Sequence, residues 1–289
     1  MEPVSTPAVA PGSGPLAGVR VVSMAANVPG PVAVARLVAQ GATALKVEPP
    51  SGDYLAFASR SWYDQLAAGV ERRTLDLKTE AGQAALWAAL AEADVFVMSQ
   101  RPSALARLGL APEVLRARAP RLCVVRIVGG DGAEADTAGH DLTYEAEAGL
   151  VQPPALPASI WVDMATGERA AMMACALLVS RGRTGQGGVA DVSMAEVARR
   201  IAEPRVHGLT VPSGVLGGAL PQYALYRTAD GWVALAALEP QFLARVAEGL
   251  ALDEVTAEAL AAAFATRSTA AWVAWARERD IPLAAVSSP

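Results

Sequence analysis

The sequence predicts a doubly wound α/β layer followed by a smaller α+β segment, and three observations carry that expectation. Short apolar runs alternate with helical patterns between residues 16 and 128, the rhythm of a parallel sheet with crossover helices. Hydrophobic residues make up 53% of the 289-residue chain and charged ones 18%, enough apolar material for a sizeable core. Beyond residue 200 the alternation gives way to a hairpin signal and then to a run of helices.

Taken in order, Gly18–Met24 reads as a short apolar strand and Pro31–Gln40 as a helix behind Gly30. A second strand, Ala42–Val47, stops at Glu48-Pro49-Pro50. Thr74–Leu77 reads as a third strand, and Thr79–Ala91 as a helix opened by Thr79. Asp94–Met98 is a buried strand, Pro112–Ala119 a helix with proline at its first position, and Leu122–Val128 a further strand. A turn at Pro153-Pro154 and an apolar run, Ser159–Val162, lead to a strongly helical segment, Glu168–Ser180. Thr184–Gly188 is a glycine turn before a strand at Val189–Val192. Tyr223–Arg227 and Trp232–Ala236 flank Asp230-Gly231 as a hairpin. Helices running from Glu239 to Leu250, Asp253–Phe264 and Thr269–Arg279 follow, and Ile281–Val286, with Pro282, is at best an edge strand. The expected organisation is a flexible tail over 1–14, a large domain over 15–200 and a small α+β domain over 201–289.

The formal charge of −5, without any basic block, argues against nucleic acid as a partner; an anionic ligand would need a local arginine cluster. Two cysteines, Cys123 and Cys175, form no disulfide framework and point to a reducing cytoplasm. Neither they nor the two histidines fall at metal-ligand spacing, so no metal is expected. Gly12-x-Gly14 precedes a strand instead of following one, which fails the context of a dinucleotide loop. The longest apolar run, Ala170–Val179, falls short of a membrane span, and the first residues do not read as a signal peptide.

The chemistry-bearing residues stand out by scarcity. His140 lies in Gly139-His140-Asp141, and Asp163 is a lone carboxylate with no basic residue nearer than Arg169. Each has an ordinary structural explanation, a loop histidine and a helix N-cap. Each also lies at the mouth of an apolar segment, where a base and an acid can divide proton transfer between them. A helix N-terminus would further favour the ionised aspartate.

Several stretches together resemble the family III CoA-transferases, which include the α-methylacyl-CoA racemases. They are Pro15–Val22, Lys46-Val47-Glu48-Pro49-Pro50-Ser51-Gly52-Asp53, Leu75-Asp76-Leu77-Lys78, Arg101-Pro102 with Arg107-Leu108-Gly109, and Gly139-His140-Asp141. Asp191-Val192-Ser193-Met194, Tyr223, Tyr226, Asp230-Gly231 and Glu239-Pro240-Gln241-Phe242 continue the series in the same order.

The resemblance implies a Rossmann-like large domain, a smaller domain and a homodimer of interlocked chains. It implies a coenzyme A thioester as substrate, with no permanently bound cofactor, and puts Asp163 at the position of the catalytic aspartate. In CoA transfer that carboxylate attacks the acyl thioester and passes through an aspartyl thioester. In the racemase branch, Asp163 and His140 remove and return the α-proton from opposite faces, and Glu239 pairs with the histidine. Imidazole titrates near neutral pH, which suits that role. Tyr223 is the candidate for lining the acyl pocket, and Arg72, Arg73, Arg101, Arg107, Gly139 and Asp141 are the candidate contacts to coenzyme A, whose phosphates need cationic or backbone partners; a solvated surface role is the ordinary explanation of each arginine. Two reactions therefore stay open, alongside a non-catalytic acyl-CoA binding protein. The chain departs from most relatives in two ways: it carries Ala67-Ala68-Gly69-Val70-Glu71-Arg72-Arg73 where a richer basic run is usual, and it is shorter.

Overall fold

The computed structural model describes residues 13–287; most of the expected tail, residues 1–12, lies outside them. The chain divides into two compact units, with the boundary between Ala202 and Glu203.

The first unit is built on β1 (Arg20–Ser23), α1 (Pro29–Ala39), β2 (Thr43–Glu48), α2 (Tyr54–Ala58), α3 (Arg60–Leu66) and β3 (Val70–Thr74). It continues with α4 (Glu80–Ala91), β4 (Val95–Met98), α5 (Pro102–Arg107), α6 (Pro112–Arg118), β5 (Cys123–Val128) and a 3-10 turn at Gly132–Asp136. Then come α7 (Asp141–Glu147), α8 (Trp161–Thr184), β6 (Val189–Ser193) and α9 (Met194–Val206), the last running across the boundary. The six strands pair in parallel in the order β3-β2-β1-β4-β5-β6, the doubly wound arrangement the alternation predicts.

Alternate residues of each central strand face opposite helical layers, because successive side chains leave a strand on opposite sides. Val21, Val95, Val97, Val125 and Ile127 pack with α1, α8 and α9 through Leu37, Ala170, Ala174 and Val197. Val22, Phe96, Met98 and Val124 pack with α4, α5 and α6 through Leu86, Leu90, Leu105 and Leu115. Both faces are covered, so these strands are mostly apolar, and β4 (Val95–Met98) is so at every position.

Two expectations need correction. The third strand is Val70–Thr74, not Thr74–Leu77. It is the outermost strand, so its Glu71, Arg72 and Arg73 reach solvent and hide its strand character in the sequence. Leu75 and Leu77 are apolar because they pack beneath α4, after the Leu75 N–H makes the last bond to Glu48 O (2.9 Å). The long helix begins at Trp161, seven residues before Glu168, so Trp161 and Val162, the second half of the apolar run, belong to the helix. Helices α2, α3, α5 and α7 are too short to show periodicity in the sequence.

Gly167 lowers helix propensity inside α8 yet allows its packing. A Cβ there would lie 2.6 Å from Val32 Cβ and 2.8 Å from Pro29 O, so α1 and α8 cross in close contact only with glycine. Gly185, at φ +72°, closes α8 in the left-handed conformation that glycine favours.

The second unit holds β7 (Tyr223–Arg227), β8 (Trp232–Ala236), α10 (Pro240–Leu250), α11 (Ala257–Phe264), α12 (Thr269–Glu278) and β9 (Leu283–Ala285). The hairpin forms at the predicted residues, and β9 joins β8 antiparallel as an edge strand just after Pro282. Tyr226, Val233, Leu235, Val246, Phe264, Trp272 and Trp275 form its own core. Asp230 ties the hairpin turn to α12, accepting from the Thr269 amide (2.7 Å) and hydroxyl (2.9 Å).

Candidate active site

In the first unit a hollow of about 240 Å³ opens beyond the carboxyl ends of β1, β4 and β5. Its walls are Ala26, Asn27 and Pro29 after β1, Ser99 and Arg101 after β4, and Ile127–Gly129 at the end of β5. The loop Thr137–His140, Tyr144 and Asp163 close it. β1 and β4 are neighbours whose chain connections lead to opposite ends of the sheet, and such a switch point leaves a crevice for a ligand.

The β1 wall is held from behind. The Ala26 amide donates to Ser99 Oγ (2.9 Å), and Gln100 Nε2 donates to Met24 O (2.6 Å). Asn27, at φ +62°, donates its amide to Asp53 Oδ1 (3.1 Å). Asp53 also caps α2 through the Leu55 amide (2.9 Å) and pairs with buried Lys46, which reaches Glu48 at 3.3 Å and stacks on Tyr63. The motif Lys46–Asp53 thus supports the cavity wall from a buried ion pair.

His140 opens α7 at the cavity's edge, its amide bonded to Thr143 Oγ1 (3.0 Å). Gly139 before it is required by crowding, since a Cβ there would lie 2.3 Å from the Tyr144 hydroxyl. Asp163 sits in the first turn of α8, half-buried, instead of capping a helix that begins after it. The capping comes from α7. Asp141 Oδ1 accepts the Asp163 amide (2.8 Å) and Glu145 Oε1 accepts the Trp161 amide (3.1 Å). Two of the helix's orphan donors are satisfied by carboxylates four residues apart on one face of α7.

That arrangement reverses the expectation that the helix end keeps Asp163 ionised. Burial first, then the charges of Asp141 and Glu145, push its carboxyl up to about 7. The dipole is outweighed because two other carboxylates already occupy the helix end. Asp163 is thereby able to hold or release a proton near neutral pH.

The other expected residues fall into two groups. Arg101, Gly139 and His140 line the hollow with Asp163, and Asp141 lies directly behind Asp163. Arg107 ends α5 and is not among the lining residues. Arg72 and Arg73 lie on the outer strand β3 and pair with Asp64 (3.4 Å) and Glu71 (2.7 Å). Glu239 and Tyr223 belong to the second unit, Glu239 exposed just ahead of α10 and Tyr223 half-buried at the start of β7. Sequence reasoning missed Asn27, Ser99 and Glu145; only Glu145 left a signal, its spacing of four from Asp141. Among the described residues no group of His, Cys, Asp and Glu side chains is arranged to hold a metal ion.

A model of CoA-transferase family III matches residues 16–289. Human alpha-methylacyl-CoA racemase is 32% identical over 259 residues, covering 82% of this chain and 65% of its own length. Rv3272 of Mycobacterium tuberculosis, a probable fatty acyl-CoA transferase, is 31% identical over 83% of this chain and 68% of its own. Succinyl-CoA--D-citramalate CoA-transferase of Chloroflexus aurantiacus is 30% identical, covering 84% and 67%. A crystal structure of an Rv3272 mutant matches with a TM-score of 0.80 at 26% identity, over 96% of this chain and 83% of that one. The chain thus spans about two thirds of the length of these curated relatives, 65% in the case of the human racemase. With the matched model running over nearly all of its length and the fold in agreement, this chain belongs to CoA-transferase family III.

Proposed function

We propose that this protein is an enzyme acting on a coenzyme A thioester, with Asp163 as the reacting carboxylate and His140 as its partner. One observation carries the reading: two side chains 23 positions apart in sequence line a single hollow of about 240 Å³ at the switch point of the sheet. The hollow suits the acyl end and thioester, and Arg101 on its wall suits an anionic group of the ligand.

The pair serves two reactions. In transfer, the Asp163 carboxylate attacks the thioester carbonyl and expels CoA thiolate, leaving a mixed anhydride. The thiolate then attacks the aspartyl carbonyl, the first acyl group leaves as a carboxylate, and the aspartyl thioester passes CoA to a second carboxylate by the reverse steps. In epimerisation, one of the two groups takes the α-proton while the other delivers a proton to the opposite face. A group near pH 7 in proton affinity suits the second reaction, since it is present in both forms. We also propose that the chain works as a homodimer.

Incubation with a 2-methylacyl-CoA in deuterated water, with and without an added carboxylic acid, separates the reactions. Deuterium at the α-carbon identifies epimerisation, whereas CoA on the added acid identifies transfer. Asp163→Asn is expected to reduce either reaction by at least about a hundredfold. His140→Ala is expected to abolish deuterium uptake and to leave most of any CoA transfer. Binding of acyl-CoA by calorimetry with neither product would replace the enzyme with a binding protein, and unchanged turnover in Asp163→Asn would remove the assignment.

A further inference from the structure

The first turn of α8 gathers three carboxylates, Asp141, Glu145 and Asp163, and among the described residues none of them forms an ion pair with Lys or Arg. Glu145 is the deepest, with no exposure to solvent. Its Oε1 accepts the Trp161 amide, but its buried Oε2 is met by no donor. Asp141, 7% exposed, accepts the Asp163 amide through Oδ1.

A helix end supplies the equivalent of about half a positive charge, too little to hold three anions. A buried carboxylate oxygen without a donor is costly, and the ordinary remedy is to protonate the group. A proton on Oε2 changes it from an unmatched acceptor into a donor toward Asp141. Glu145 then keeps the Trp161 amide capped while removing one negative charge from the cluster.

We propose that Glu145 is a neutral carboxylic acid in the working protein, and that it acts as a positioning residue by leaving the helix end to the anions of Asp141 and Asp163. The titratable groups facing it are Asp141 on its own helix and Asp163 on α8; with Glu145 neutral, burial and the charge of Asp141 are what raise the proton affinity of Asp163. Burial first, and then the charge of Asp141, raise its proton affinity, in keeping with this arrangement. Sequence periodicity alone could not distinguish Glu145 from a solvated helix residue; its depth and its unmatched oxygen do so.

Carbon-13 NMR of the wild-type protein labelled at glutamate side-chain carboxyls reads the proton directly. One resonance, assigned to Glu145 through its bonded neighbours, is expected to keep the protonated chemical shift at pH 7. A carboxylate shift there at pH 7 overturns the proposal without any variant being needed. The kinetic arm rests on Asp163 being the reacting group. Glu145→Gln is a neutral mimic whose carbonyl still caps Trp161 and whose amide donates toward Asp141. Its acidic kcat/KM limb is expected within about 0.3 pH unit of wild type, with turnover within about threefold. A downward shift of about one unit instead means that Glu145 was charged, and it overturns the proposal. If the function proposed above is wrong, the kinetic arm has nothing to read, but the NMR arm still decides the state of Glu145.

Discussion

Asp163 shows what its surroundings do to a single carboxyl group. Its folded-state proton affinity is raised to about 7 from the ordinary carboxylate range, so the folded protein holds a proton that the unfolded chain has released. Between those two values the folded state binds more protons, and stability falls as pH rises through the window. Asp163→Asn carries no charge at any pH. It is expected to match wild type near pH 4 and to exceed it at pH 8, by on the order of 1–3 kcal/mol after allowance for partial exposure. Thermal unfolding at the two pH values measures this, and equal melting temperatures at pH 8 would show that the carboxyl is not strained. A catalytic group that costs stability is the usual trade between activity and folding.

At the scale of elements, α7 and α8 act as one device. α8 brings Asp163 to the cavity only because α7 supplies the caps that its own sequence lacks, and α1 fixes its height against the sheet. Gly167 sits at that crossing. Gly167→Ala would add a Cβ 2.6 Å from Val32 Cβ and force the helices apart, a cost of about 1–3 kcal/mol against the small gain in helix propensity. The urea midpoint is expected to fall, and kcat to fall with it as Asp163 shifts. A midpoint that rises would mean that α1 and α8 are not closely packed at this glycine.

At the scale of the whole molecule, α8 also exposes Trp161, Met172 and Val179, which share one face of the helix and are 53%, 58% and 62% exposed. Exposed apolar side chains on one face of a long helix, with only Glu168 exposed between Trp161 and Met172 on that face, suit self-association. Sedimentation is expected to give about twice the 29.7 kDa chain mass. Met172→Lys with Val179→Glu is expected to shift the protein toward monomer, and a monomeric wild type would remove the homodimer from the proposed function. No helix among the described residues is long and apolar enough to cross a membrane.

Much of the molecule was decided locally. The alternation of buried strands and capped helices, the Asp230-Gly231 hairpin and the glycine turn at Thr184–Gly188 are legible because each depends on neighbours a few residues away. The ordered motifs also indicated the family, since a long series is specific even when each piece is short. Tertiary structure decided the rest. Polar β3 becomes a strand only because β2 is there to pair with it, and Ser159–Val162 leads into a helix because distant carboxylates cap that helix. The proton affinity of Asp163 depends first on burial and then on carboxyl groups brought up from 18 and 22 positions away, and electrostatics acts through space, which a linear pattern does not record.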